Sequence, residues 1–146
     1  MTEDPLEAGT NPFIQKLRKI NPILLLVTEK EIRKLFNAKI IIPLRYSSWV
    51  ANLVLVRKKK GEIHLCVDFQ NLNKCFLKDS YPLHKMDHFL QNVVGATRIS
   101  MMDGFSGYNQ VAMHPDDMDK TAFTTLWGTF MYQNMPFGSI NVMATF

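Results

Sequence analysis

The sequence predicts an α+β fold of antiparallel hairpins joined by short helices. Three observations lead there. An apolar run before Gly61 and an alternating one after it form one pair of strand-like segments, and a second pair flanks Trp127-Gly128, each the pattern of a hairpin. Two other stretches carry apolar residues at helical spacing. Strands and helices also follow no regular βαβ alternation. The 146 residues suit one domain with a real core, and 47% hydrophobic with 21% charged residues is a globular composition that argues against wholesale disorder.

In chain order, residues 1–27 hold three of the seven prolines and little periodicity, and read as an extended leader before a domain over 28–146. Thr28-Glu29-Lys30-Glu31 fits a capping box, and Ile32, Leu35 and Phe36 follow at helical spacing, predicting a helix over 29–38. Leu53-Val54-Leu55-Val56 leads into the cationic run Arg57-Lys58-Lys59-Lys60. Gly61 supplies the turn, and Ile63, Leu65 and Val67 alternate with His64, Cys66 and Asp68, so the lysines sit at an exposed hairpin tip. Pro82 precedes a helix whose apolar face is Met86, Phe89, Leu90 and Val93, ended by Gly95. A strand over 97–102 then delivers Asp103 into a turn at Gly104. Residues 121–125 and 129–132 form the second hairpin. Met135-Pro136-Phe137-Gly138 breaks the pattern, and the last eight residues read as the start of a helix, so one flank of the sheet is expected to lack a neighbour.

The net charge of +4 and a pI near 9.1 are compatible with a polyanion partner without proving one. Cys66 and Cys75 have no CxxC spacing and read as free thiols in a reducing compartment. The N-terminus lacks the layout of a signal peptide, and Ile23–Val27 is too short to span a bilayer. The expectation is an intracellular protein, cytoplasmic or nuclear, not secreted and not in a membrane. His84 and His88 have a zinc-like i,i+4 spacing beside Asp87, but no third ligand pattern accompanies them, and an ordinary helix is the better reading. Asp116, Asp117 and Asp119 read as a solvated turn. Trp49, Phe69 and Trp127 read as core rather than as base-stacking platforms.

Asp103 is the residue with the clearest chemical reading. A strand end fixes a carboxylate, and the adjacent glycine lets backbone approach phosphate and metal, as two-metal nucleotidyl transfer requires. A lone Asp after a strand is otherwise an ordinary turn former. Its neighbours decide the matter. The blocks Tyr46–Asn52, Val54–Lys59, Leu65–Lys74, Lys78–Leu83, Met102–Val111, Lys120–Phe123, Trp127–Thr129 and Met135–Gly138, in this order and spacing, closely resemble the reverse transcriptase of gypsy-type LTR retrotransposons within a pol polyprotein. The resemblance runs from about residue 15 to Phe146.

The resemblance implies a right-hand polymerase, with the fingers and the first part of the palm in this chain. It implies attack by a primer 3′-hydroxyl on the α-phosphate of a deoxynucleotide, assisted by two Mg²⁺ ions. Asp103 is then the catalytic metal-binding carboxylate, and the Gly104 carbonyl a further metal ligand. Lys58, Lys59, His64, Phe105, Tyr108 and Phe137 fall at nucleotide-binding positions, with Lys58 and its neighbours toward the triphosphate and Tyr108 under the sugar. Arg57, Asp68, Asn71, Pro136 and Gly138 fall at template and primer positions. The implied partners are an RNA or DNA template-primer, a dNTP, and a chain supplying the remainder of the palm. His64 and Gln70 stand where the family usually has arginines, and Ser139, Val142 and Met143 depart from the pattern in the last block. The Tyr-x-Asp-Asp hairpin, thumb and ribonuclease H domain are missing, so the chain alone is expected to be inactive and to hold Mg²⁺ weakly or not at all. Two rival readings are a non-catalytic nucleic-acid-binding module and a non-functional retrotransposon relic.

Overall fold

The structure, a computed structural model, describes residues 5–59, 61–82, 85–102, 104 and 107–142. Its elements are α1 (Leu25–Asn37), β1 (Ile41–Pro43), β2 (Ala51–Arg57), β3 (Ile63–Val67), α2 (Gln70–Asn73), α3 (Met86–Val93), α4 (Pro115–Met118), β4 (Phe123–Thr125) and β5 (Gly128–Tyr132). The strands form one sheet in the order β1-β5-β4-β2-β3. Both predicted hairpins are present as antiparallel pairs, β2 with β3 and β4 with β5. They meet through a short parallel contact in which Ala51 and Asn52 face Phe123 and Thr124. β1 adds to the far edge against β5, where the missing N–H of Pro43 breaks no interior ladder.

The core lies on one face of this sheet. Phe123 is 1% exposed, with the Tyr132 ring 5.4 Å and the Phe130 ring 6.0 Å from its own. Phe69 packs edge-on against Tyr132 at 6.4 Å. Ile32 from α1, Ile41 from β1 and Trp49 belong to the same buried cluster. Trp49 and Phe69 are thus core residues as expected, whereas Trp127, at the β4–β5 turn, is exposed.

Several local expectations are corrected. Thr28 does not cap a helix: its hydroxyl donates back to the Leu24 carbonyl at 2.8 Å from inside α1. The chain turns helical earlier because Asn21 accepts from the Ile23 N–H at 3.1 Å and Pro22 follows with its φ already set. Residues 97–102 form no strand, since no described segment pairs with them, and Ile99, Met101 and Met102 are exposed. α3 forms over the expected residues but leaves Met86, Phe89 and Leu90 exposed. Asp117 is not solvated: it is 2% exposed and ion-paired with Lys120 at 2.5 Å. No helix among the described residues is long and apolar enough to cross a membrane.

The N-terminal segment lies along the sheet rather than apart from it. Gln15 N–H donates to the Val50 carbonyl at 2.8 Å, and Val50 N–H to that of Phe13 at 3.1 Å. Further upstream, Glu7 N–H donates to Cys75 and Leu77 N–H to Pro5, at 2.8 and 3.0 Å.

Two expectations for stability follow from this core. Phe123→Ala leaves a cavity at the junction of the two hairpins and should cost about 3–5 kcal/mol, read from the urea midpoint. Burial, helped by the nearby Cys66, pushes the Tyr132 phenol up from 10.0 to about 12. The unfolded chain therefore releases this proton before the folded chain does. Stability from this group is full below pH ~10 and falls toward pH ~12, by on the order of 2–3 kcal/mol. Urea melts across that window should show the decline in the unaltered protein, and Tyr132→Phe should flatten it.

Candidate functional site

The register of the first hairpin sorts its residues onto two faces. Directly paired residues share a face, so Leu53 with Val67, Leu55 with Leu65 and Arg57 with Ile63 continue the core side. Val54 with Cys66 and Val56 with His64 lie on the other, open side. Asp68 extends that open side, its N–H donating to the Asn52 carbonyl at 2.9 Å. The strand period thus separates Asp68 from Arg57, although both were read as template and primer positions, and leaves the nucleotide position His64 on the face of Asp68. At the tip, Gly61 adopts φ 85°, a left-handed conformation that other residues rarely take. It closes the turn by donating to the Lys58 carbonyl at 2.9 Å, while Lys58 N–H donates to Glu62 at 2.8 Å. Lys58 and Lys59 are exposed there, and Lys60 lies outside the described residues.

At the base of the hairpin is a cleft of about 480 Å³ lined by Arg18, Cys66, Asp68, Gln70, Asn73 and Gly138 among others. Asp68 uses both carboxylate oxygens: one accepts from Arg18 Nη2 at 3.0 Å, the other from the Gln70 N–H at 3.3 Å. Asn73 fixes the opposite wall, its amide donating to the Gly138 carbonyl at 2.7 Å and accepting from the Ile140 N–H at 3.0 Å. Gly138 needs its freedom, with φ at 95°.

Beyond Gly138, two distant segments come together. Met135 N–H donates to the Val111 carbonyl at 2.8 Å, and Met113 N–H to that of Gln133 at 3.0 Å. This pairing sets the Tyr108 ring edge-on to the Phe137 ring, with centroids 5.1 Å apart. Pro136 is fully buried while Phe137 remains exposed. Gly104 is exposed too. Asp103 and Phe105 lie outside the described residues, as does His84 of the zinc-like pair. Asn71 is already engaged, its side-chain oxygen accepting from Gln15 Nε2 at 2.9 Å. Among the described residues, no group of three or more His, Cys, Asp or Glu is placed to hold a metal ion.

Sequence reasoning missed the polar clamp behind the cleft. Gln15 Nε2 also donates to the Asp68 carbonyl at 3.0 Å, and its Oε1 accepts from the Asn52 backbone N–H at 3.0 Å and side-chain amide at 3.2 Å. Asn52 in turn donates to the Lys16 carbonyl at 2.7 Å and accepts from the Arg18 N–H at 3.1 Å. The available signal was Asn52 itself, a single amide between Ala51 and Leu53 in an apolar strand and only 3% exposed. A buried amide of this kind needs partners, and the N-terminal segment provides them.

No protein-family model matches the chain. It is 31% identical over 149 aligned residues to the retrovirus-related Pol polyprotein from transposon opus of Drosophila melanogaster, covering 99% of this chain and 14% of that one. It is 36% identical over 84 residues to the RNA-directed DNA polymerase homolog of Oenothera berteroana, covering 58% of this chain and 59% of that one. Among solved structures, the prototype foamy virus protease-reverse transcriptase CSH mutant matches with a TM-score of 0.75 at 22% identity, over 94% of this chain and 18% of that one. The foamy viral protease-reverse transcriptase in complex with dsDNA also matches at 0.75, with 21% identity, over 100% of this chain and 31% of that one. The chain therefore spans less than two thirds of the length of each of these relatives. By sequence it is a homologue of retroelement Pol polyproteins, and it folds as a reverse-transcriptase-like section of them, corresponding to the fingers and the first part of the palm.

Proposed function

We propose that this chain serves RNA-directed DNA synthesis as the fingers and early palm of a gypsy-type LTR retrotransposon reverse transcriptase. The observation that carries the reading is the meeting of Tyr108 and Phe137 beside the cleft, because it joins the segment after Asp103 to the Met135–Gly138 loop. In this reading Tyr108 forms a floor under the nucleotide sugar, and the Phe137 edge holds that ring upright. Lys58 and Lys59, exposed at the hairpin tip, meet phosphate oxygens as point charges, those of the triphosphate when a nucleotide is bound and those of a strand otherwise, and His64 lies below them on the open face. Template-primer, RNA or DNA, passes Asp68, Pro136 and Gly138, with Arg57 and Asn71 as outlying contacts.

Divalent metal, Mg²⁺ in this proposal, would neutralise charge on the attacking and leaving oxygens once bound. Asp103 and the Gly104 carbonyl are this chain's contribution to holding it. Two ions need more than one carboxylate, and the 146 residues contain no Tyr-x-Asp-Asp sequence. Catalysis therefore draws on carboxylates from outside these residues, contributed by further polypeptide of the same chain or by a second one. The free state of Cys66 and Cys75 supports an intracellular setting, cytoplasmic or nuclear.

Primer extension on an RNA template with Mg²⁺ tests the catalytic half. Residues 1–146 alone should give none. Joined to a palm segment bearing the missing carboxylates they should extend the primer, and Asp103→Asn should then cost at least ~10²–10³-fold in rate. Extension that survives Asp103→Asn would sink the assignment. The binding half is read by fluorescence anisotropy: Lys58→Ala with Lys59→Ala should weaken oligonucleotide binding and flatten its salt dependence by about 0.7 for each phosphate that is no longer neutralised.

A further inference from the structure

Among its described lining residues, the cleft at the base of the hairpin contains one cation, Arg18, and it comes from the N-terminal segment rather than from the hairpin. We propose that Arg18 is a phosphate anchor for a nucleic-acid strand lying along the open face of β2 and β3, with Asp68 as its positioning residue. The proposal rests on the nucleic-acid reading above and adds to it a residue from outside the hairpin.

Three features single this arginine out. Its backbone is fixed: the Arg18 N–H donates to the buried Asn52 side chain at 3.1 Å, and the same amide holds the Lys16 carbonyl at 2.7 Å. The side chain thus starts from a set origin, unlike an ordinary surface arginine that must surrender its freedom on binding. Its guanidinium is also held from behind. Nη2 donates to Asp68 Oδ2 at 3.0 Å, yet the Arg18 side chain is 57% exposed while that of Asp68 is only 14% exposed. The carboxylate sits inside and the rest of the planar fork faces outward, which is the arrangement suited to a phosphate. Finally, the anchor is in line with the other cations. From Asp68 to His64 the open face climbs ~13 Å at about 3.3 Å per residue, and Lys58 and Lys59 lie beyond it at the tip. One polyanionic strand can therefore touch both ends.

A purely structural tether is the competing account. The segment is already tethered, however, by its backbone pairing with Val50 and by the Gln15 and Asn52 amides. An exposed ion pair adds little to such an attachment.

The test is anisotropy of a labelled single-stranded RNA or DNA oligonucleotide with the 146-residue chain across a salt series, with urea melts on the same variants. Arg18→Gln should weaken binding several-fold and lower the slope of log K against log salt by about 0.7, with an unchanged urea midpoint. Arg18→Lys should keep the slope, since the charge remains. Asp68→Asn distinguishes positioning from mere proximity. If the carboxylate only repels phosphate, its removal tightens binding; if it orients Arg18, affinity falls even though a negative charge has gone. A fall is expected, and tighter binding would overturn the positioning role. Arg18→Gln with unaltered slope and affinity, in a protein whose binding still depends on Lys58 and Lys59, overturns the anchor alone. A lowered urea midpoint with no change of slope marks a tether and likewise overturns it. No binding by the unaltered chain overturns the anchor and the nucleic-acid reading together.

Discussion

Two hairpins far apart in sequence become one sheet through a parallel contact only two residues long. Ala51 N–H donates to the Ala122 carbonyl at 2.9 Å, and Ala51 and Asn52 then face Phe123 and Thr124. Both alanines are buried, and their small side chains let the strands approach without displacing the neighbouring aromatic residues. An isolated hairpin is marginal in water, so each pair depends on this junction for a hydrophobic partner. The candidate site depends on it as well. The Asn52 side chain, at the same corner, receives the N-terminal segment, and Phe69 carries the start of α2 onto Tyr132. From α2, Asn73 reaches across to fix Gly138. Sheet, clamp and cleft therefore share one root.

Both hairpins are legible in the sequence because local rules determine them: strand-forming runs on each side of a turn whose glycine accepts positive φ. α1 and α3 are legible from apolar spacing, whereas the four-residue helices α2 and α4 are too short to show a period. Errors arise where two local rules compete or where a partner is remote. Thr28 through Glu31 satisfies a capping box, but Asn21-Pro22 starts the helical turn earlier, and Thr28 is left to bond back within the helix. The apolar run at 97–102 has strand-forming residues but no described ladder partner, and a strand without a partner leaves its backbone groups to water. Asp117 resembles its acidic neighbours in composition, yet burial and Lys120 make it structural. Nothing local distinguishes it from Asp116.

The site was legible in its residue types and less so in its geometry. Tyr108 and Phe137, read separately as nucleotide positions, lie edge-on to one another, and the cleft includes Asp68 and Gly138. Arg57 and His64, read as a template position and a nucleotide position of one hairpin, are put on opposite faces by strand period. Gln15 and Arg18 were invisible because their roles are set by contacts across more than thirty residues of chain. A polar residue in a segment without periodicity looks like any solvated one until a buried partner is found for it. Asn52 is that partner, donating to Gln15 and accepting from Arg18, and its presence in an apolar strand was the hint.

The proposed binding surface and the proposed chemical centre are supported differently. Arg18, Asp68 and the hairpin tip are fixed by paired strands and by buried amides whose hydrogen bonds are satisfied. Such a surface tolerates small displacements, because phosphate contacts act over several ångströms and follow a flexible ligand. A metal-binding carboxylate has no such tolerance, since misplacement by an ångström can cost about two orders of magnitude in rate. Yet Ile99, Met101, Met102 and Gly104, on either side of Asp103, are exposed, as are Met86, Phe89 and Leu90 of α3. A strand paired against 97–102 would bury apolar side chains and fix the carboxylate in a single step. Cover on that side and positioning of Asp103 are therefore one physical requirement, whereas the open face of the hairpin meets its own requirement from within these residues.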